Sequence, residues 1–196
     1  MTLDKHKKAY LNIGYRKRLY DSIKYVHNII EDKLYFVYKG AAINLFDNDY
    51  NNSIRGFRDI DIWVEPKAKK IIQKKEDSDG KKIILTNTVF GINYKSVLDI
   101  KSGEKIEDII PINMVLDNLI EIQLEDIRIK IPTLEMQMIL MIAHQIKHER
   151  LKEHREHFLE DTIFFVNRIK NRNKVYELAE KLSILEEVKN IYDRFD

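Results

Sequence analysis

The sequence predicts an α+β fold: a mixed sheet with helices over residues 1–131, followed by a C-terminal helical module over 132–196. Three observations carry that reading. Tyr20, Ile23, Val26, Ile29 and Ile30 recur near a 3.6-residue period, which marks one face of a helix. Residues 57–64, FRDIDIWV, alternate with a period of two, as a strand with two unlike faces does. After Pro132 the alternation stops, and apolar residues return at helical spacing with no further proline to interrupt them.

The first helix is expected to run to about residue 32. Residues 34–38, LYFVY, form a short β-rich run closed by Lys39-Gly40, and residues 41–46 begin a helix directly after that glycine. DNDYNNS at 47–53 is turn chemistry and predicts an exposed loop. On the strand that follows, Phe57, Asp59, Asp61 and Trp63 share one face, with Arg58, Ile60, Ile62 and Val64 on the other. Pro66 opens a basic helix to about residue 76. The turn Asp77-Ser-Asp-Gly80 leads into strands expected at 82–88 and 94–100. Residues 120–124 and 127–131 alternate around Glu125-Asp126 and read as a hairpin. Thr133 is placed to N-cap a helix carrying Leu134, Met138, Met141, Ile142 and Gln145. A second helix is expected over 153–170, with one or two more from 174 to the end.

Composition narrows the chemistry. The 196 residues include no cysteine, which excludes disulfides, a thiol nucleophile, iron–sulfur clusters and cysteine-ligated zinc. Hydrophobic residues at 44% and charged residues at 34% suit a globular chain rather than a disordered one. No apolar run approaches the ~20 residues of a membrane span. No apolar segment follows the basic start MTLDKHKKAY, so a cytoplasmic protein is expected. The net charge of +2 does not demand a nucleic-acid partner, but the cations are uneven. Lys5, Lys7, Lys8, Arg16, Lys17 and Arg18 form one cluster, and Lys67, Lys69, Lys70, Lys74 and Lys75 another. Such clusters hold phosphates in some proteins and are solvated helix faces in others.

Asp59-Ile-Asp61 is the feature with the most chemical content. Two carboxylates on one strand face repel each other unless a cation lies between them, and hard oxygen donors suit Mg²⁺. Alone, the pair occurs by chance on many strands; its context sharpens it. At Lys39-Gly40-Ala41 a strand gives way to a helix, where glycine lets backbone N–H groups approach a phosphate and the helix dipole favours the anion. Arg55 and Arg58 follow the loop. A third carboxylate, Asp99, lies in the strand-like KSVLDI, with Asp117 and Glu121 as alternatives.

On these residues, YKGAA at 38–42 and RGFRDIDIWV at 55–64, the chain resembles the nucleotidyltransferase superfamily of DNA polymerase β type. It looks closest to the uncharacterised and abortive-infection toxin-like branches in bacteria and archaea, with their K-G-[AG]-[AT] turn, insertion and R-x-x-D-I-D strand. The likeness continues at lower specificity through IPTLE at 131–135, a helix with His144 and His148, and EDTIFFV at 160–166. The resemblance implies transfer of a nucleoside monophosphate from an NTP, ATP included, to a hydroxyl on an RNA end, a protein or a small molecule. It implies that Asp59 and Asp61 hold two Mg²⁺ ions and that Asp99 ligates one of them and helps deprotonate the acceptor. It implies a nucleotide-binding set of Lys39, Gly40, Ala41 and Arg55, and a toxin or defence setting with an antitoxin partner. The turn departs from the superfamily, being Gly40-Ala41 where Gly-Gly or Gly-Ser is usual. Arg58 ranks below Arg55 because strand alternation puts it on the face opposite Asp59.

Other signals are weaker. His144 and His148 have the i, i+4 spacing of zinc ligands, but Gln145 breaks the metalloprotease motif. His154 and His157 lie in the charged stretch HERLKEHREH. Met136, Met138 and Met141 suit core packing, and Tyr10, Tyr15, Tyr20 and Tyr25 suit a helix seam. Two competing readings are a catalytically inactive transferase-like nucleotide-binding protein and a nucleic-acid-binding module using the lysine clusters.

Overall fold

The computed structural model describes residues 5–46, 59–76, 81–89, 92–148 and 155–195. The element order is α1 (Lys5–Ile30), β1 (Tyr35–Tyr38), α2 (Lys39–Phe46), β2 (Asp59–Val64), α3 (Pro66–Glu76), β3 (Lys82–Val89) and β4 (Ile92–Lys101). There follow β5 (Lys105–Ile106), β6 (Ile110–Pro111), α4 (Ile112–Leu116), β7 (Leu119–Leu124) and β8 (Ile127–Pro132). The chain ends in α5 (Leu134–His148), α6 (Arg155–Arg168), α7 (Arg172–Lys181) and α8 (Leu185–Phe195). The fold is α+β, with a mixed sheet and a helical C-terminal part.

The chain divides into two units. One comprises Met1–Ser102 with Glu121–Ile131, and the other comprises Gly103–Ile120 with Pro132–Asp196. A single boundary after residue 131 therefore does not describe the division, because 103–120 groups with the C-terminal helices. The two-residue strands β5 and β6 and the five-residue α4 in that stretch are too short to carry a period in sequence.

In the first unit four strands lie in the order β1-β2-β4-β3. β1 and β2 are antiparallel, β2 and β4 parallel, and β3 and β4 form an antiparallel hairpin. The pleat turns Tyr35, Val37, Ile60, Ile62, Val64, Ile83, Leu98 and Ile100 into one core with Leu19, Ile23, Val26 and Ile30 of α1 and Ala68 and Ile72 of α3. Leu124, Ile127, Ile129 and Ile131 of the β7–β8 hairpin join the same core. The hairpin turn is tied to α1, where Lys24 Nζ lies 2.6 Å from Asp126 Oδ2 and the Tyr20 hydroxyl donates to Asp126. Ile62 is fully buried at the centre of this packing. Ile62→Ala should therefore cost about 2–5 kcal/mol through lost burial and the cavity left behind. Urea unfolding would show a lower midpoint at unchanged slope.

In the second unit Thr133 Oγ1 accepts from the Met136 N–H at 3.4 Å, so the expected cap opens α5. Asn171 caps α7 in the same way at 3.2 Å. Met136, Ile139, Leu140, Phe165, Val175, Leu178, Val188 and Tyr192 are buried. The expected run from 174 onward resolves into α7 and α8, separated at Ser183, whose φ of 59° cannot continue a right-handed helix. The β5–β6 turn has two successive residues at positive φ, Glu107 (51°) and Asp108 (65°). Both are engaged by α5: His144 Nδ1 lies 3.0 Å from Glu107 Oε2, and Lys147 Nζ 2.7 Å from Asp108 Oδ2.

Candidate active site

The strand registers arrange the acids on the face of the four-stranded sheet opposite the core. Tyr38 of β1 pairs with Asp61 of β2, Asp61 with Asp99 of β4, and Asp99 with Lys82 of β3. Directly opposed residues share a face, so these four side chains form one row across the sheet. The row on one side holds Asp59, Val97 and Ile84. The row on the other side holds Phe36, Trp63 and Lys101. Phe36 and Trp63 stack with centroids 5.3 Å apart, closing that side with apolar surface.

Asp61 is buried, Asp99 half-buried and Asp59 exposed. Burial pushes the Asp61 carboxyl up to about 6, the Lys39 ammonium pulls it down, and the charges of Asp59 and Asp99 push it up again. Lys39 Nζ stands 3.4 Å from Asp61 Oδ1, and Lys101 Nζ 2.8 Å from Asp99 Oδ2. Each inner acid is thus engaged by a lysine. Lys39 is expected at the nucleotide, and Lys101 is not among the residues expected at the site, although it follows Asp99 by two residues and so shares its face.

The β1–α2 turn lies beside the acids because β1 runs antiparallel to β2 and ends opposite Asp61. Lys39 takes a φ of 58°, a left-handed conformation that is costly for a residue with a β-carbon. Gly40 and Ala41 follow Lys39 in the first turn of α2, where the backbone N–H groups of a helix have no intrahelical acceptor. A β-carbon at Gly40 would meet nothing within 4 Å, so the turn faces open space. Asn44 Nδ2 donates to Gly40 O at 3.1 Å and braces the turn.

Of the three candidates for the third acid, the sheet brings Asp99 to the pair. Glu121 lies on β7, which pairs with β8 in a separate two-stranded sheet, and it faces Arg128 at 3.6 Å. Asp117 is exposed at the C-cap of α4 in the other unit. Arg55 and Arg58 lie outside the described residues, as do His154 and the side chains of His148 and His157. His144 pairs with Glu107.

Among the described residues no group of three or more His, Asp or Glu side chains stands close enough together to hold a metal ion. Asp59, Asp61 and Asp99 nevertheless have the donor chemistry of a Mg²⁺ site: hard oxygens on neighbouring positions, with a buried member whose charge is opposed by the other two. A divalent cation would relieve that repulsion and would take over from the two lysine ion pairs.

In structure the chain is similar to an antigenic nucleotidyltransferase-like protein from Paracoccidioides brasiliensis, with a TM-score of 0.49, 13% identity, and 89% of this chain and 91% of that chain covered. No protein-family model matches the chain, and no curated protein matches it in sequence.

Proposed function

We propose that the protein is a metal-dependent nucleotidyltransferase that moves a nucleoside monophosphate from an NTP to a hydroxyl acceptor. One observation carries the reading: Asp61 and Asp99 are directly opposed on parallel strands, with Asp59 on the same face and the β1–α2 turn alongside. Asp59, Asp61 and Asp99 are the residues that would hold two Mg²⁺ ions, whose chemistry is to neutralise the triphosphate and stabilise an in-line displacement. The acceptor oxygen forms a bond to the α-phosphorus, the bond from that phosphorus to the bridging oxygen breaks, and pyrophosphate leaves. Asp99 is the base for the acceptor proton. Gly40 and Ala41 N–H groups bind the phosphates at the start of α2, with Lys39 and Arg55 as their cations. Following the resemblance, the setting we infer is that of a toxin or defence component held by an antitoxin partner.

The turn offers a clean test of nucleotide binding. Gly40→Ala meets no atom in the protein and replaces glycine in a helix, so stability should hold or rise by up to about 1 kcal/mol. The added methyl enters the space assigned to the phosphates. Titration with a fluorescent NTP should therefore show affinity roughly tenfold weaker, about 1.4 kcal/mol; unchanged affinity would remove the turn from the binding set.

The engagement of Asp61 by Lys39 and of Asp99 by Lys101 favours a second reading, a catalytically inactive nucleotide-binding protein in which lysines stand in for metal. Incubation with each α-³²P-labelled NTP, Mg²⁺ and a panel of RNA, protein and small hydroxyl acceptors separates the two. Label transfer abolished by EDTA supports the transferase. Nucleotide binding that ignores EDTA, without transfer, supports the second. Among the described residues no helix is long and apolar enough to cross a membrane.

A further inference from the structure

The face that carries the acids continues past them. Around Asp99 the β3–β4 hairpin presents Lys82, Ile84 and Thr86 of β3 and Lys95, Val97 and Lys101 of β4 on the same side. Lys82, Thr86, Lys95 and Lys101 are exposed, and Ile84 is 66% exposed. Lys101 and Lys95 are six residues apart on one strand, ~20 Å along the sheet, and Lys82 stands one strand, ~4.8 Å, from Asp99. The result is a narrow strip in which Lys95 and Lys82 alternate with Val97 and Ile84 and run into the acid row, with Lys101 on the far side of that row paired to Asp99.

We propose that this strip binds a single-stranded nucleic acid and leads its terminal hydroxyl to Asp61 and Asp99. The lysines match phosphates, and Ile84 and Val97 give the bases an apolar seat, a pairing of chemistries that nucleic acid offers along its length. A duplex would present two backbones across a groove and needs two cation rows, whereas the hairpin supplies one strip. The role of the strand as acceptor rests on the transferase reading; its binding does not.

The test uses the full chain and fluorescein-labelled 12-nucleotide RNA and DNA of mixed sequence, read by anisotropy from low to high salt. For Lys82→Gln with Lys95→Gln, log K against log salt should flatten by about 1.4, two phosphate contacts at ~0.7 each on a single strand, with binding at 0.1 M salt weaker by about tenfold or more. Lys70→Gln with Lys74→Gln removes the same charge from exposed positions of α3, a helix whose buried residues pack on the opposite face of the sheet, and should leave the slope unchanged. A strip variant with the parental slope, equal losses from the α3 variant, displacement by polyglutamate as efficient as by RNA, or a parent that binds neither oligonucleotide would overturn the proposal. Preference between the RNA and DNA arms assigns the sugar. Strand binding by the parent in EDTA without NTP separates this inference from the reading beneath it, since the strip's lysines need neither metal nor nucleotide. A parent that binds the strand but transfers nothing sinks the transferase alone. A parent that labels other acceptors without binding the strand sinks the strip alone.

Discussion

Asp61→Asn should remove NTP-dependent transfer, by about 10³-fold or roughly 4 kcal/mol of transition-state stabilisation, while the protein still folds. Asn keeps the shape and one oxygen but not the charge that a divalent cation needs. The same variant should be more stable than the parent without metal, and the gain should depend on pH. Burial raises the Asp61 carboxyl from 3.8 to about 6 on folding. An acid whose folded value is raised favours folding below its unfolded value and loses that contribution as pH rises through the folded one. Asn does not titrate and suffers no such loss. In EDTA, the stability of Asp61→Asn relative to the parent should therefore widen between pH 4 and pH 7.5. The ceiling is about 3 kcal/mol, from ~1.4 kcal/mol per pKa unit, reduced because Lys39 loses its partner. Urea unfolding at the two pH values measures it. A difference that does not change with pH would mean that the carboxylate is not held in a desolvated site. Retained transfer by a folded variant would end the two-metal role.

The second large effect is at Asp99. Asp99→Ala should abolish transfer, whereas Asp117→Ala and Glu121→Ala should leave most of it. Strand β4 does not depend on that side chain for its place, because Leu98 and Ile100 on either side are buried in the core. The loss should therefore be one of chemistry, with far-UV circular dichroism and the urea midpoint close to those of the parent. The register leaves little room for substitution by the other two acids. Asp99 is the direct neighbour of Asp61 on a parallel strand, while Glu121 lies on a separate hairpin and Asp117 at a helix end. A silent Glu121→Ala beside an active Asp99→Ala would overturn the assignment of the base and leave the reaction class standing.

Much of the sheet could be read locally. The period-two pattern in FRDIDIWV assigned Asp59, Asp61 and Trp63 to one face and Ile60, Ile62 and Val64 to the other, and the pairing and burial follow it. Pro66 starts α3 and Thr133 caps α5 where their chemistry predicts. These features are legible because the pleat, the proline ring and a capping hydroxyl each act within a few residues of chain. The excursion of 103–120 was not legible, because its strands are shorter than any period. The strand order β1-β2-β4-β3 was beyond reach for a different reason. Parity along a strand says which face a side chain takes but not which strand lies beside it. That choice rests on ladder hydrogen bonds and burial between segments tens of residues apart, such as Asp61 and Asp99. The sequence by itself thus determined the aspartate pair, its face and the glycine turn near it. Only the tertiary structure decided that Asp99 stands opposite Asp61, that Lys39 and Lys101 engage the two, and that the cations of the β3–β4 hairpin continue the same face. Each of these is a meeting of residues that the backbone brings together only when the whole sheet closes.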